Sequence, residues 1–317
     1  MKRLITALLA MAMCLGLAAC GGKDSGGAQE EKSLMLGETC SVAEYADFTL
    51  VGIETTDKIT ASMNKNNYYE NNESGQTYID VVFDVTNTSS GELDSETMVE
   101  ATAADENGTV YPCKLYVVEK EDMTWVSTYE KIAPLSSVRF HAAISVPASG
   151  DKFSLGFDWN GSRYIYDYTM DTTVKDTVAL NVGDVIGDEE YATLEFVGAR
   201  FADRQEPSNT SRAYSYMEVK NSDSTYLILE FKLTNYQANE KKIDSFIGAN
   251  ATFMEKYKYS GMTVSEDTDQ RGISAYNSVS PLETVRAFVL IEVPKSVTDK
   301  EYSAEVCFNK QFYTVAG

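Results

Sequence analysis

The sequence predicts an all-β chain built as two tandem antiparallel β-sandwiches, and three observations carry that expectation. First, Tyr78–Asn87 (YIDVVFDVTN) sets Ile79, Val81, Phe83 and Val85 against Asp80, Val82, Asp84 and Thr86. Period-two alternation rich in β-branched and aromatic residues marks a strand with one buried face. Second, the stretch recurs as Tyr226–Asn235 (YLILEFKLTN). Third, short alternating runs follow one another at turn-length spacing, with no crossover-length helical pattern between them. That arrangement favours a sandwich over a βαβ fold.

Taken in order, the chain begins with a positive pair, Lys2 and Arg3, and an apolar run, Leu4–Leu17, too short to span a membrane comfortably. It closes on Leu17-Ala18-Ala19-Cys20-Gly21, which resembles a bacterial lipoprotein signal peptide (1–20) with its lipobox. The resemblance implies recognition of Leu17, Ala18 and Ala19, cleavage before Cys20, and a diacylglyceryl group on the Cys20 sulfur. Two acyl chains supply the anchoring that one cannot. The implied partner is thus the lipid bilayer, and the implied location is extracytoplasmic, lipid-anchored to the cell membrane. An ordinary secretory peptide ending in cysteine is the alternative. Residues 21–33 (GGKDSGGAQEEKS) offer nothing to bury and read as a flexible tether, with a reach on the order of 20 Å.

The duplication then sets the domain limits. Leu36-Gly37-Glu38 matches Val182-Gly183-Asp184, and the block from Tyr45 to Gly52 matches that from Tyr191 to Gly198. Ala133-Pro134-Leu135 through Arg139 matches Ser280-Pro281-Leu282 through Arg286, and Val146-Pro147 matches Val293-Pro294. Blocks in one order at a nearly constant offset define two repeats, 34–171 and 172–317. Expected strands in the first are Phe48–Ile53, Tyr78–Thr86, Val99–Ala104, Thr109–Tyr116, Val138–Val146 and Phe153–Trp159. Asn107-Gly108 is a hairpin signal, and the Pro-Leu blocks read as turns entering strands. Short helical turns are placed near Ser95–Val99 and Lys242–Ile247.

Length and charge agree with this plan. A chain of 317 residues, 43% hydrophobic and 24% charged, is long enough for two domains, each with its own core. Its formal net charge of −21 becomes about −23 once Lys2 and Arg3 are removed. Such a chain repels phosphate backbones, so nucleic acid is not an expected partner. Of the cysteines left after processing, Cys40 and Cys113 fall in one repeat and have no counterparts in the other. They read either as a disulfide, which export permits, or as two isolated thiols. Cys307 reads as a strand residue, because no basic neighbour would lower its pKa.

Catalytic chemistry finds little to stand on. The single histidine, His141, falls on the outer face of its strand by alternation and reads as a surface residue, since no nucleophile motif accompanies it. Asp105-Glu106-Asn107-Gly108 lacks the spacing of a calcium loop, and Glu266-Asp267-Thr268-Asp269 reads as a second acidic loop. No cofactor or metal is expected. Tyrosine is in excess, at 20 residues. Tyr164, Tyr166 and Tyr168 share one strand face and read as packing. Tyr68, Tyr69, Tyr214 and Tyr216 lie in the long polar stretches Glu54–Thr77 and Arg200–Thr225. Tyr, Asn and Ser on loops suit a contact surface. The other reading folds these stretches back over the sheet as an extra strand or cap.

Leu36-Gly37-Glu38, the strand with Val81, Phe83, Val85 and Asn87, Asp105-x-Asn107-Gly108 with Tyr111, and the Pro-Leu to Val-Pro segment resemble bacterial surface lipoproteins. These carry telokin-like, immunoglobulin-like sandwiches and are related to the immunoprotective extracellular antigen. The resemblance implies two immunoglobulin-like domains and a surface location, and brings no catalytic residues. The expected role is non-enzymatic binding of an extracytoplasmic protein, peptide or glycan. A cell-envelope enzyme or accessory subunit and a structural spacer are the alternatives. Labelled fatty acid should enter the protein at Cys20, and Cys20→Ala should release it from membranes; a variant that stays in the membrane fraction contradicts the anchor.

Overall fold

The computed structural model describes residues 31–63, 67–120, 123 and 125–317. Leu17, Ala18, Ala19, Cys20 and most of the tether lie outside them. The described chain is all-β, and its helical segments are two 3-10 turns, Ile243–Ser245 and Lys295–Val297. No helix among the described residues is long and apolar enough to cross a membrane.

The first sandwich packs two sheets face to face. One has the order Glu31–Ser33, Ser162–Thr169, Lys152–Trp159, Glu100–Asp105, Val110–Pro112. The other runs Val126–Ser127, Leu115–Glu119, Ser137–Pro147, Gln76–Asn87, Ala46–Thr56, with Thr39–Val42 and Val174–Lys175 on its far edge. The second sandwich repeats the plan. Thr177–Ala179, Gln311–Ala316, Tyr302–Phe308 and Ile247–Phe253 form one sheet, and Thr284–Pro294, Ser224–Asn235, Ala192–Ala202 and Val185–Gly187 form the other. Tyr257–Glu266 belongs to both: its 257–260 half pairs with the first sheet and its 261–265 half with the second. In the first sandwich the equivalent stretch, expected as one strand, breaks at Cys113-Lys114 so that its halves can join different sheets.

The duplicated strand is central in both copies. Phe83 sits opposite Phe140 and Leu50, and Phe231 opposite Ala287 and Phe196. Both rings are fully buried. In the first core Phe48 stacks on Trp159 at 4.2 Å, while Phe83 meets Phe157 and Trp159 edge-on; such offset and T-shaped contacts suit the ring quadrupole. Tyr164 and Tyr168 point into this core and Tyr166 packs against it. A β-bulge recurs at the same place, with Val51 and Val197 as the extra residues. It bends the strand ahead of the long segment that follows.

The asparagine ending each central strand fixes the neighbouring turns. Buried Asn87 donates from Nδ2 to the carbonyls of Gly91 and Ile132, and Asn235 does the same to Asn239 and Val279. The backbone carbonyls of both asparagines accept from Leu135 and Leu282. This holds each Pro-Leu turn with its leucine at φ +64° and +62°. Asp105 caps the predicted hairpin turn, its carboxylate accepting from the backbone N–H of Asn107 and Thr109. The expected turn near Ser95 is a single α-turn from Asp94 to Met98.

Two sequence expectations are corrected, and of the two readings of Cys40 and Cys113 the isolated thiols hold. Glu31–Ser33, read as the end of the tether, pairs in parallel with Ser162–Thr169. Val174–Lys175, placed in the second repeat, instead extends the first sandwich by pairing with Ile53 and Gly52. Cys40 and Cys113 are free thiols. Cys40 lies on Thr39–Val42 at one edge of its sheet and Cys113 at the break before Leu115–Glu119, four strands across, so about 19 Å or more separates them, well beyond the ~7 Å a disulfide can bridge. Burial pushes the Cys113 thiol up to about 12, so it is unreactive. Phe231→Ala should destabilise the second sandwich by about 3–5 kcal/mol. Both tryptophans, Trp125 and Trp159, lie in the first repeat. Circular dichroism should therefore register the loss while the tryptophan-detected transition keeps its midpoint; a shift of both transitions would mean that the cores unfold as one.

Candidate functional site

The two long polar stretches fold back as hairpins over the outer face of the strand they precede. Lys58–Thr60 pairs with Tyr68–Glu70, and Arg204–Gln205 with Met217–Glu218. Beneath the first hairpin Ile59, Ala61, Val117, Val126 and Ala143 form a small second core. Beneath the other lie Tyr226, Ile228, Val264, Ile273, Phe288 and Leu290. The sheet that carries the duplicated strand is therefore covered on part of its outer face as well, while Lys232 and Glu195 stay exposed there in the second copy.

This cover buries His141, contrary to the surface position expected from sequence. The alternation is as predicted, and the residue does point to the outer face; what the strand pattern lacks is the hairpin above it. Asp80, His141 and Glu119 come from three adjacent strands and lie diagonally across that face. His141 Nδ1 is 3.0 Å from Asp80 Oδ2, and Nε2 is 3.0 Å from Glu119 Oε1. Glu119 also accepts from Ser62, through the backbone N–H at 3.0 Å and the hydroxyl at 2.6 Å. Ser62 belongs to the hairpin, so the buried carboxylate ties hairpin to sheet. Burial alone would lower the His141 pKa, but Asp80 and Glu119 lift it to about 10. Burial would raise Glu119, but the bond and charge of His141 hold it below the usual carboxylate range.

The second copy repeats the clasp with a different cation. Ser208 gives its backbone N–H and hydroxyl to Glu266, as Ser62 does to Glu119. Arg286 supplies the positive charge, binding Glu266 at 2.7 Å and Glu230 at 2.7 Å. Phe288 and Ile228 occupy the places of His141 and Asp80. Glu266, read from sequence as the start of an acidic loop, is thus a buried strand-end anchor. In the first copy the arginine is engaged elsewhere. Arg139 is bidentate to Asp84 at 2.9 Å, donates to the Lys310 carbonyl, and lies 4.8 Å from the Phe312 ring centroid. Drawn to the second sandwich, it leaves Glu119 to the histidine.

The four candidate contact tyrosines lie on these hairpins. Tyr69 faces the sheet, while Tyr68 is exposed with Lys58 Nζ 4.2 Å from its ring centroid. Tyr214 and Tyr216 pair at 5.9 Å, Arg204 covers Tyr216, and the Tyr214 hydroxyl donates to Glu206. Each tyrosine is engaged within its own hairpin, and the two pairs occupy different sandwiches.

Sequence reading missed the surface between the sandwiches. On the outer face of the Gln311–Ala316, Tyr302–Phe308, Ile247–Phe253 sheet, strand register defines three rows. Phe312, Cys307 and Gly248 form an apolar row that Met63, Met123 and Arg139 cover from the first sandwich. Next come Thr314, Glu305, Asn250 and Ser260, then Ala316, Ser303, Thr252 and Lys258. These polar rows floor a cleft of about 670 Å³, walled by Glu54 and the linker residues Thr173, Lys175 and Thr177. Lys175 pairs with Glu305 at 2.8 Å and Lys258 with Glu54 at 3.5 Å. Burial would lower the Lys175 pKa, but Glu305 and Glu54 raise it, so the ammonium stays charged. The only signal for this site was the difference between repeats: the row equivalent to Thr314, Glu305, Asn250 and Ser260 reads Ile165, Gly156, Thr102 and Pro112 in the first copy.

No family model and no curated protein matches the chain. Among solved structures it is similar to an uncharacterised β-sandwich protein from Clostridium difficile 630, at 22% identity and a TM-score of 0.42, over 45% of this chain and 95% of that one. A conserved hypothetical protein from Bacillus anthracis matches at 14% identity and a TM-score of 0.28, over 44% and 96%. Bovine butyrophilin matches at 12% identity and a TM-score of 0.16, over 75% and 90%.

His141 contributes its full stability below about pH 6.5, where it would be protonated even unfolded, and loses it as pH rises through about 10. Glu119, depressed in the fold, contributes above its ordinary value of about 4.5 and loses that as pH falls. The second clasp contains no histidine, its cation being Arg286. The tryptophan-detected unfolding midpoint should therefore decline from pH 6.5 to 10 more steeply than the midpoint of the second sandwich; equal slopes would contradict the assignment. His141→Phe should cost the first sandwich about 3–5 kcal/mol by stranding two buried carboxylates. Adding Asp80→Ile should recover part of that loss in the same denaturation assay.

Proposed function

We propose that this chain is a lipid-anchored extracytoplasmic binding protein, held at Cys20 and related to surface lipoproteins with tandem immunoglobulin-like domains. The lipobox supports the anchor and the location. The interdomain cleft supports binding, and it is the single observation that carries this reading. A spacer needs only an inert rigid contact. Here the contact uses one apolar row and two ion pairs, Lys175–Glu305 and Lys258–Glu54, and leaves the rest of two polar rows open beside it, in the copy whose sequence departs from the other.

The histidine supports a non-enzymatic role. Both its ring nitrogens are taken by buried carboxylates, so it has neither the access nor the free lone pair of a general base. The tyrosine hairpins are poor primary sites, because their apolar faces are occupied by the sheets. Deleting residues 68–75 would uncover a core rather than remove a contact loop.

The test is retention of a fractionated envelope extract on immobilised full-length protein, with Phe312→Ala beside wild type. Phe312 lies under both Arg139 and Lys175, so its loss should loosen the contact between sandwiches. Saturable retention by wild type that weakens in the variant is expected. No retention by either form would favour the spacer, and turnover of a retained component would favour an enzyme.

A further inference from the structure

The polar cleft deepens the binding reading above, on which this inference rests. We infer that it binds a neutral, polyhydroxylated ligand, a short stretch of oligosaccharide, laid across the outer face of the second sandwich. Its volume of about 670 Å³ lies within the ~300–1,000 Å³ range of small-molecule sites. Its floor is made of short side chains that both donate and accept: Thr314, Asn250, Ser260, Ser303 and Thr252. Hydroxyls and amides about 4.8 Å apart within each row, and about 6.8 Å from one row to the next along the strands, match a ligand carrying hydroxyls along its length. Such groups exchange hydrogen bonds with water for equivalent ones with the ligand at small net cost.

Charge and backbone pairing disfavour the other small-ligand classes. Of the two lysines of the cleft, Lys175 is held in a part-buried pair with Glu305 at 2.8 Å, while the exposed Lys258 lies 3.5 Å from Glu54. An anionic ligand would have to break a pair and then face Glu255 and Glu301 at the rim. A cation would find its acceptors chiefly at the rim, because Glu305 on the floor already holds Lys175. An extended peptide binds by pairing with an open sheet edge, whereas this floor is a sheet face, with its backbone groups already used in the ladder. Tyr259 and Tyr302 alternate with these rows and pack their rings against Phe253 in the core, so the floor itself is polar.

The full chain in detergent can be titrated calorimetrically with maltotriose, cellotriose and chitotriose as neutral probes, trigalacturonate as the charged comparator, and triglycine as the peptide comparator. At least one neutral saccharide should bind, with affinity at least about tenfold weaker in Ser303→Trp, which fills the floor from an exposed position. Ser154→Trp, at the matched place on the first sandwich, should bind as wild type does. If Ser303→Trp loses its circular-dichroism signal, Asn250→Leu serves instead, with the same loss expected. The inference is overturned if no neutral saccharide binds up to about 10 mM. It is also overturned if only trigalacturonate or triglycine binds, or if Ser303→Trp and Ser154→Trp behave alike. Any of these results beside continued retention of an envelope component would move the binding site elsewhere while leaving the binding reading standing; absence of both would remove both.

Discussion

A buried glutamate at the end of one strand, Glu119 in the first sandwich and Glu266 in the second, is the constraint on which the outer architecture depends. Each carboxylate sits where an uncompensated charge would be severely destabilising. Each is satisfied by a serine from the fold-back hairpin and by one cation from the sheet. The hairpin in turn covers apolar residues on the outer face, so the clasp and the second small core require one another. Without the hairpin the carboxylate loses its serine donors, while in the first copy the hairpin is held in addition by Ile59, Ala61 and Tyr69 and by the Val126 N–H donating to Asn67 Oδ1.

The two copies solve the same electrostatic problem differently because they occupy different places in the molecule. In the second, Arg286 is free to neutralise Glu266 and Glu230. In the first, the equivalent Arg139 faces the other sandwich, bound to Asp84, the Lys310 carbonyl and the Phe312 ring. An aspartate and a histidine, Asp80 and His141, then occupy positions that hold isoleucine and phenylalanine in the second copy. The docking of the two sandwiches and the chemistry of the first clasp are thereby linked. The linker reinforces this, since Val174–Lys175 joins one sandwich and Thr177–Ala179 the other with only Asp176 between them. The polar cleft is what this geometry leaves uncovered.

Much of the fold was legible in sequence, because strand alternation and duplication are properties of the chain itself. Phe83, Phe231, the Pro-Leu turns and the Asn107-Gly108 hairpin fall where local pattern puts them. What escaped was cover supplied by distant segments. Alternation put His141 on the outer face correctly, but only the hairpin's position decides whether that face meets water. A signal did exist in the second copy. Ala287-Phe288-Val289-Leu290-Ile291 is a continuous apolar run, and such a run indicates burial on both faces. The first copy hides the same burial behind Asp80 and His141, whose charges read as solvent-facing. The cleft was less accessible still, since it comes from the packing of one sandwich against another. The exclusion of a Cys40–Cys113 bridge likewise needed the strand order.

The central claim is that one buried carboxylate in each copy pins the hairpin to the sheet. Amide hydrogen exchange of Glu119→Gln and Glu266→Gln against wild type tests this most directly. Glu119→Gln should sharply lower protection at Ser62 and across Lys58–Thr60 and Tyr68–Glu70, while Gln76–Asn87 stays protected. Glu266→Gln should act in the same way on Ser208 and the Arg204–Gln205 and Met217–Glu218 pair alone. Unchanged hairpin protection in both variants would contradict it.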